Sequence, residues 1–327
     1  MYHCASPIVY LVVMSFHVKS FVPKYNNEDP LGVCSIVKNV DDKFILLAKG
    51  NAGTYLPNVW SDVVTRDFTH SPQYYIRDNW TDLSNLKSIE EVYSKEVQAF
   101  VKTLSPEQCF IVDNISKQIS KSGISIVSVA LSSNKIAYNL LGDAFLFFYN
   151  KEQNKLRAYC SMIDTNGKFD FAQPCHGLYS DLTLLGDVLS GECKVKGNDI
   201  VLVMTRDLAD WFIQSSTSGL YETVETILSI HDSNEFEKFI RQVYSKQTYK
   251  GVPFDKDIST CIVIEHVCDG KFEVIKRKAL NLFKNNKIII AILTILLGLS
   301  FMIKKCSHTL SNENQALKNS QTEQFSK

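Results

Sequence analysis

The sequence has no excess of charge of either sign, because 35 lysine and arginine residues are balanced by 35 aspartate and glutamate residues. Binding to nucleic acid depends on a basic excess, so this balance argues against a nucleic-acid partner. Closely spaced cysteine and histidine pairs are also missing, although the 327 residues include nine cysteines. A structural zinc site needs such pairs, and an odd number of scattered cysteines is typical of buried free thiols in a reducing compartment.

Apolar residues make up 45% of the chain, enough for a large core without disulfides or metals. Segments rich in Val, Ile, Phe and Tyr predict strands at residues 9–21, 34–37, 44–48, 123–132, 137–141, 145–149, 200–205 and 260–266. Helical periodicity predicts helices at residues 86–104, 106–121, 220–229 and 234–246. We therefore predict an α+β fold, with a central β-sandwich of two antiparallel sheets flanked by helices. No repeat or long linker interrupts residues 1–268, which we interpret as one domain.

Residues 288–303 form an apolar segment without a charged side chain. A helix of this length spans about 24 Å, somewhat less than the roughly 30 Å hydrocarbon core of a bilayer. Lysine side chains on both sides can extend to the membrane interface and make up the difference; they are Lys284, Lys287, Lys304 and Lys305. We therefore predict one C-terminal transmembrane helix, and the alternative is a helix buried in a core.

The preceding segment, residues 269–287, is a basic juxtamembrane stalk. The positive-inside rule then places the N-terminal domain in the cytosol, and a short span suits the endoplasmic reticulum or the mitochondrial outer membrane. The polar tail, residues 304–327, is expected to be disordered. Residues 6–16 are interpreted either as a strand or as a signal segment, and the lack of a basic n-region favours the strand.

Several short motifs follow one another along the chain in a specific order. The segment that starts at Asp199 reads Asp-Ile-Val-Leu-Val-Met-Thr-Arg-Asp-Leu-Ala-Asp. It resembles the D-[IV]-[IVL]-L-x-x-[ST]-D-G-L-x-D segment of the metal-dependent serine/threonine phosphatases of type 2C. Further resemblances follow the family's order: residues 46–53 to its D-G-x-G-G turn, 123–131 to its G-[ST]-[ST] strand, 139–144 to its N-x-G-D-[SA] hairpin, and 256–264 to its closing D-[DN]-[IM]-[ST] strand. The resemblance covers most of the predicted domain and implies a β-sandwich.

In this family, aspartates at these strand ends hold two divalent metal ions, usually Mn²⁺ or Mg²⁺, which activate a bridging water. The resemblance places Lys49, Arg206 and Lys256 at three of those aspartate positions. An ammonium or guanidinium group cannot ligate a metal ion and repels it at close range. The remaining site candidates are not expected to rebuild a two-metal site; they are Gly50, Asp143, Asp210 and Asp257.

We therefore interpret the chain as a membrane-tethered, catalytically impaired relative of these enzymes, a pseudophosphatase. It would act as a binding or regulatory module for phosphoproteins or for a kinase or phosphatase, and no cofactor is expected. The alternative is an active metal-dependent serine/threonine phosphatase with a divergent site for Mn²⁺ or Mg²⁺. Two roles for the cations stay open. They either form internal salt bridges with Asp143, Asp210 and Asp257, or they present a metal-free phosphate-binding surface.

Overall fold

The computed structural model describes residues 13–22, 33–76, 86–163, 169, 176–245, 248–249, 252–253 and 259–269. The strands in chain order are β1 (Val13–Phe21), β2 (Ser35–Val40), β3 (Phe44–Gly50), β4 (Gly123–Ser132), β5 (Lys135–Leu141), β6 (Ala144–Asn150), β7 (Lys155–Tyr159), β8 (Gly177–Tyr179), β9 (Leu184–Leu185), β10 (Leu189–Lys194), β11 (Asp199–Thr205), β12 (Thr248–Tyr249), β13 (Val252–Pro253) and β14 (Cys261–Asp269). The helices are α1 (Pro57–His70), α2 (Lys87–Val101), α3 (Pro106–Ser116), α4 (Arg206–Ser218), α5 (Leu220–Leu228) and α6 (Ser233–Ser245).

Two antiparallel sheets form the centre of the domain. Sheet A has the strand order β1, β14, β11, β6 and β7, and sheet B has the order β10, β5, β4, β3 and β2, with β8 paired to β4. The chain passes from sheet B to sheet A between β5 and β6, through Gly142 and Asp143. This turn is therefore a junction between the two sheets, and it lies beside the end of β11, because Ala144 pairs with Thr205.

The inner faces of the sheets pack against each other. Leu47 and Val127 of sheet B belong to the same buried cluster as Leu146 and Val203 of sheet A. Strand β6 is apolar at almost every position, because its other face is covered as well. On that outer face Phe147 packs against Phe212 of α4, with ring centroids 4.9 Å apart.

Helix α1 covers the outer face of sheet B. Its Trp60 and Val64 are fully buried with Leu46 and Ala48 of β3. The indole N–H of Trp60 donates a hydrogen bond of 3.0 Å to the carbonyl oxygen of Leu178, so the buried polar group is satisfied. Because α1 starts seven residues after β3 ends, its packing also fixes the segment that follows Gly50.

The predicted α+β fold with two antiparallel sheets flanked by helices is confirmed for the described residues. Sequence reasoning did not predict α1 or α4, and it made α3 too long. This helix ends at Ser116 and not at Lys121. The residues after Ser116 approach the loop before α1, where the backbone N–H of Tyr55 donates to the carbonyl oxygen of Lys121.

The predicted transmembrane helix, residues 288–303, lies outside the described residues, and so do the tail and the stalk apart from Asp269, which ends β14. Among the helices that the structure describes, none is both long and apolar enough to cross a membrane. At the other end of the chain, residues from Val13 onward form strand β1, whereas residues 6–12 lie outside the described part.

Candidate functional site

Three elements meet at one end of the sandwich and bring the predicted site residues together. Lys49 is near the end of β3, Asp143 lies in the turn between β5 and β6, and Arg206 is the first residue of α4, directly after β11. The backbone N–H of Arg206 donates a hydrogen bond of 3.1 Å to the carbonyl oxygen of Asp143. Residues that are far apart in the sequence thus share one corner because the β5–β6 turn joins the two sheets there.

The centre of this corner is a buried ion pair. The Lys49 ammonium nitrogen lies 2.9 Å from Oδ2 of Asp143, and the two side chains are only 6% and 2% exposed. The Arg206 Nη1 atom lies 3.8 Å from the same oxygen, and its side chain is 23% exposed. Both cations therefore face one carboxylate, but Lys49 is enclosed by protein and Arg206 reaches the surface.

A hydrogen-bond network fixes the other side of the Asp143 carboxylate. The Ser125 hydroxyl oxygen lies 2.9 Å from Oδ1 of Asp143 and 2.8 Å from the amide oxygen of Asn51. The Asn51 amide nitrogen in turn donates to the carbonyl oxygen of His176 at 3.2 Å. Both carboxylate oxygens of Asp143 thus have partners within the protein.

The turn that carries Asp143 depends on a glycine. Gly142 has a φ of +91°, which L side chains rarely adopt, and a Cβ atom there would overlap the Ser125 hydroxyl and the His176 carbonyl oxygen. The Gly142 N–H also donates a hydrogen bond of 2.9 Å to the Ser161 hydroxyl, which restricts the backbone of the turn further. The backbone therefore approaches Ser125 closely enough to present the carboxylate to Lys49.

Two neighbouring carboxyl groups have opposite pKa shifts. Burial acts to raise the pKa of Asp143, but the charge and hydrogen bond of Lys49, the Ser125 hydroxyl and the charge of Arg206 together lower it below the ordinary value. Burial raises the pKa of Asp207, and the negative charges of Asp143 and Asp210 raise it further, against the lowering effect of Lys49 and Arg206. Asp143 is therefore the carboxylate that the corner stabilises as an anion.

The other predicted site residues have different positions. Gly50 is the last residue of β3, and a Cβ atom there would approach Cβ of Pro57 in α1 to 2.9 Å. One of the open interpretations paired Asp210 with a cation. In the structure Asp210 accepts a hydrogen bond of 2.9 Å from the Gln214 amide. Asp210 lies one turn after Arg206 in α4, and the Arg206 side chain contacts Asp143 instead. Lys256 and Asp257 lie outside the described residues.

Sequence reasoning did not assign roles to Ser125, Asn51 or Asp207. Ser125 pairs with Lys49 in the β3–β4 register, so a strand alignment would have placed the two side by side. No sequence signal identifies the Asn51 contact, because the amide binds residues far away in the sequence. The raised pKa of Asp207 likewise depends on burial in the folded chain.

The described residues do not fit the pair of divalent cations that the family resemblance implies. Mg²⁺ and Mn²⁺ need several oxygen ligands, whereas Asp143 is paired with the Lys49 ammonium group, whose charge repels a divalent cation at close range. The ammonium nitrogen of Lys49 lies 2.9 Å from Oδ2 of Asp143 and neutralises its charge. Within the described ranges there is also no group of three or more His, Cys, Asp or Glu side chains that could hold a metal ion.

Comparisons with known proteins give similarity at the level of the fold. No family model and no curated protein matches the sequence. Solved structures of serine/threonine phosphatases do match. They include the catalytic domain of PstP in complex with two manganese ions (13% identity, 78% of this chain and 99% of that chain, TM-score 0.45), PstP/Ppp of Mycobacterium tuberculosis (11%, 79% and 100%, 0.40) and Stp1 of Staphylococcus aureus (8%, 83% and 100%, 0.41). Similarity of this size carries no argument about chemistry, and the chemistry of the corner is derived from its own residues.

The lowered pKa of Asp143 predicts how stability depends on pH. The folded state holds this proton less tightly than the unfolded state, whose ordinary value is 3.8. The contribution of Asp143 is therefore fully present above the unfolded pKa and is lost as the pH falls through the folded pKa. We expect Tm to fall more steeply below about pH 4 in the unchanged protein than in Asp143→Asn. Thermal unfolding between pH 7 and pH 2 measures this, and parallel curves for the two proteins would contradict it.

Proposed function

We propose that this chain is a phosphatase-like domain that binds a partner and does not catalyse metal-dependent hydrolysis. The Lys49 ammonium group at 2.9 Å from Asp143 is the observation that carries the proposal. Hydrolysis by two metal ions requires cations that activate a water and neutralise the phosphoryl oxygens. Here the Lys49 ammonium group neutralises the Asp143 carboxylate. An ammonium group cannot coordinate a water and activate it as a metal ion does.

Arg206 is the residue that we propose as the contact for a phosphate group on a partner protein. Its Nη1 atom is 3.8 Å from Asp143, which is a charge contact beyond hydrogen-bond distance. Within the described part of the chain, its guanidinium group donates no hydrogen bond, and the side chain is partly exposed. A guanidinium group binds phosphate through two parallel N–H donors, so Arg206 suits a phosphoprotein. A kinase or phosphatase that carries a phosphate group would be recognised by the same contact, because it is also a phosphoprotein.

We further propose that residues 288–303 attach the domain to a membrane, with the domain in the cytosol. The support is the uncharged apolar composition of this segment and the lysines on both sides of it. The short length favours a thin bilayer, such as that of the endoplasmic reticulum or the mitochondrial outer membrane. Placement at a membrane would concentrate a binding module near membrane-bound partners.

The proposal predicts that the chain has no metal-dependent phosphatase activity. The full-length chain in detergent is expected to release no phosphate from a phosphothreonine peptide above the no-enzyme rate, with or without millimolar Mn²⁺. Calorimetric titration of the same protein with Mn²⁺ is expected to show no saturable heat, because Asp143 is already paired. Mn²⁺-dependent release that disappears in a folded Asp143→Asn variant would overturn the proposal and favour an active phosphatase with a divergent site.

A further prediction concerns recognition. Arg206→Ala is expected to weaken the binding of a phosphothreonine peptide about tenfold or more, the effect of losing a charge-assisted bidentate contact. Arg206→Lys serves as the matched control, because it keeps the charge and loses the planar guanidinium group. Its affinity for the peptide should lie between those of the unchanged protein and Arg206→Ala. Fluorescence anisotropy at fixed ionic strength measures both variants. Equal affinity of the unchanged protein for the phosphorylated and unphosphorylated peptide would exclude a phosphate-binding role.

Another prediction concerns attachment. Deletion of residues 288–303 is expected to move the protein from the membrane pellet to the supernatant after alkaline extraction of cells. Replacement of Lys284 and Lys287 by Gln is the control, because it removes two charges and leaves the apolar segment intact. If the deleted chain stays in the pellet, and a folded state is verified by circular dichroism, the proposed tether is wrong.

A further inference from the structure

We infer that Lys49 is an internal counter-ion, which holds β3, β4, the β5–β6 turn and the start of α4 together without a divalent cation. The inference concerns the stability of the fold, and it goes beyond the proposed binding function. It holds whether or not Arg206 contacts a phosphate group.

The Asp143 carboxylate connects these elements because each of them supplies one of its contacts. Lys49 comes from β3, and Ser125 comes from β4. The first residue of α4, Arg206, binds the Asp143 backbone oxygen through its own N–H and faces the carboxylate with its side chain. A buried carboxylate without a compensating charge is strongly unfavourable. A cation next to Asp143 therefore allows the elements to meet around an ionised carboxylate.

The position of Lys49 makes its side chain suited to this role. Strand β3 is paired on both sides, so that Lys49 is opposite Ser35 of β2 and Ser125 of β4. Its backbone is therefore held by two neighbouring strands, and its side chain is 6% exposed. The ammonium group is directed at Asp143 and removed from solvent.

An exposed ion pair of the same chemistry provides a matched comparison. Lys151 lies 3.0 Å from a carboxylate oxygen of Glu225, but these side chains are 42% and 38% exposed. Exposed pairs of this kind contribute little to stability, because water solvates both partners when they separate. The two lysines thus differ mainly in burial, and burial is the property on which the inference depends.

Thermal unfolding of the full chain in detergent tests the inference with a double-mutant cycle. Lys49→Met and Asp143→Asn are each expected to lower Tm by roughly 10 °C, because each leaves the other partner buried without its ion pair. The double variant is expected to lose clearly less than the sum of the two, because the uncompensated charge is then absent. Lys151→Met is expected to lower Tm by no more than about 3 °C. EDTA or Mn²⁺ should leave Tm of the unchanged protein the same.

Three results would overturn the inference. They are additive losses in the double variant, an equal effect of Lys49→Met and Lys151→Met, and a rise in Tm of the unchanged protein on addition of Mn²⁺. If Lys49→Met does not fold, the double variant decides: recovery of folded protein supports the counter-ion role, and no recovery contradicts it. These measurements are independent of phosphate release, so they separate this inference from the proposed lack of hydrolysis.

Discussion

The buried contact between Lys49 and Asp143 is the interaction on which the rest of the corner depends. Removing one partner of such a pair costs about 3–5 kcal/mol, whereas an exposed pair is worth about 0–1 kcal/mol. The Gly142 turn, the Ser125 hydroxyl and the Asn51 amide all position the same carboxylate. The network is therefore organised around a single anion, and the cation that neutralises it is part of the chain.

Lys49 and Arg206, two basic residues of the same corner, lie in different environments. Lys49 and Arg206 both stand where the family resemblance implies an aspartate, and both face Asp143. Lys49 is enclosed, so its charge is used within the protein. Arg206 begins α4 at the surface and keeps hydrogen-bond donors that the described residues do not use. Burial therefore distinguishes the structural role inferred for Lys49 from the binding role proposed for Arg206.

The sequence predicted the sheets well, because β4, β6 and β11 are long apolar runs with few alternatives. It did not predict α4, because the residues after Thr205 were interpreted only as part of the motif that starts at Asp199. Helix α1 was missed because its apolar face, with Trp60 and Val64, is interrupted by polar residues. At the site, motif order predicted that Lys49, Asp143 and Arg206 belong together. The partners Ser125 and Asn51 and the raised pKa of Asp207 arise from folding and could not be predicted from local patterns.

A metal ion dissociates from its site and must be resupplied from solution, whereas a lysine side chain is covalently part of the chain. On the counter-ion inference, the corner around Asp143 is complete as soon as the chain folds, at any concentration of Mn²⁺ or Mg²⁺ in the compartment. A metal that binds the folded state stabilises it only in proportion to its supply. On the same inference, a lysine at this position removes that dependence, so the corner assembles without regard to the supply of divalent cations.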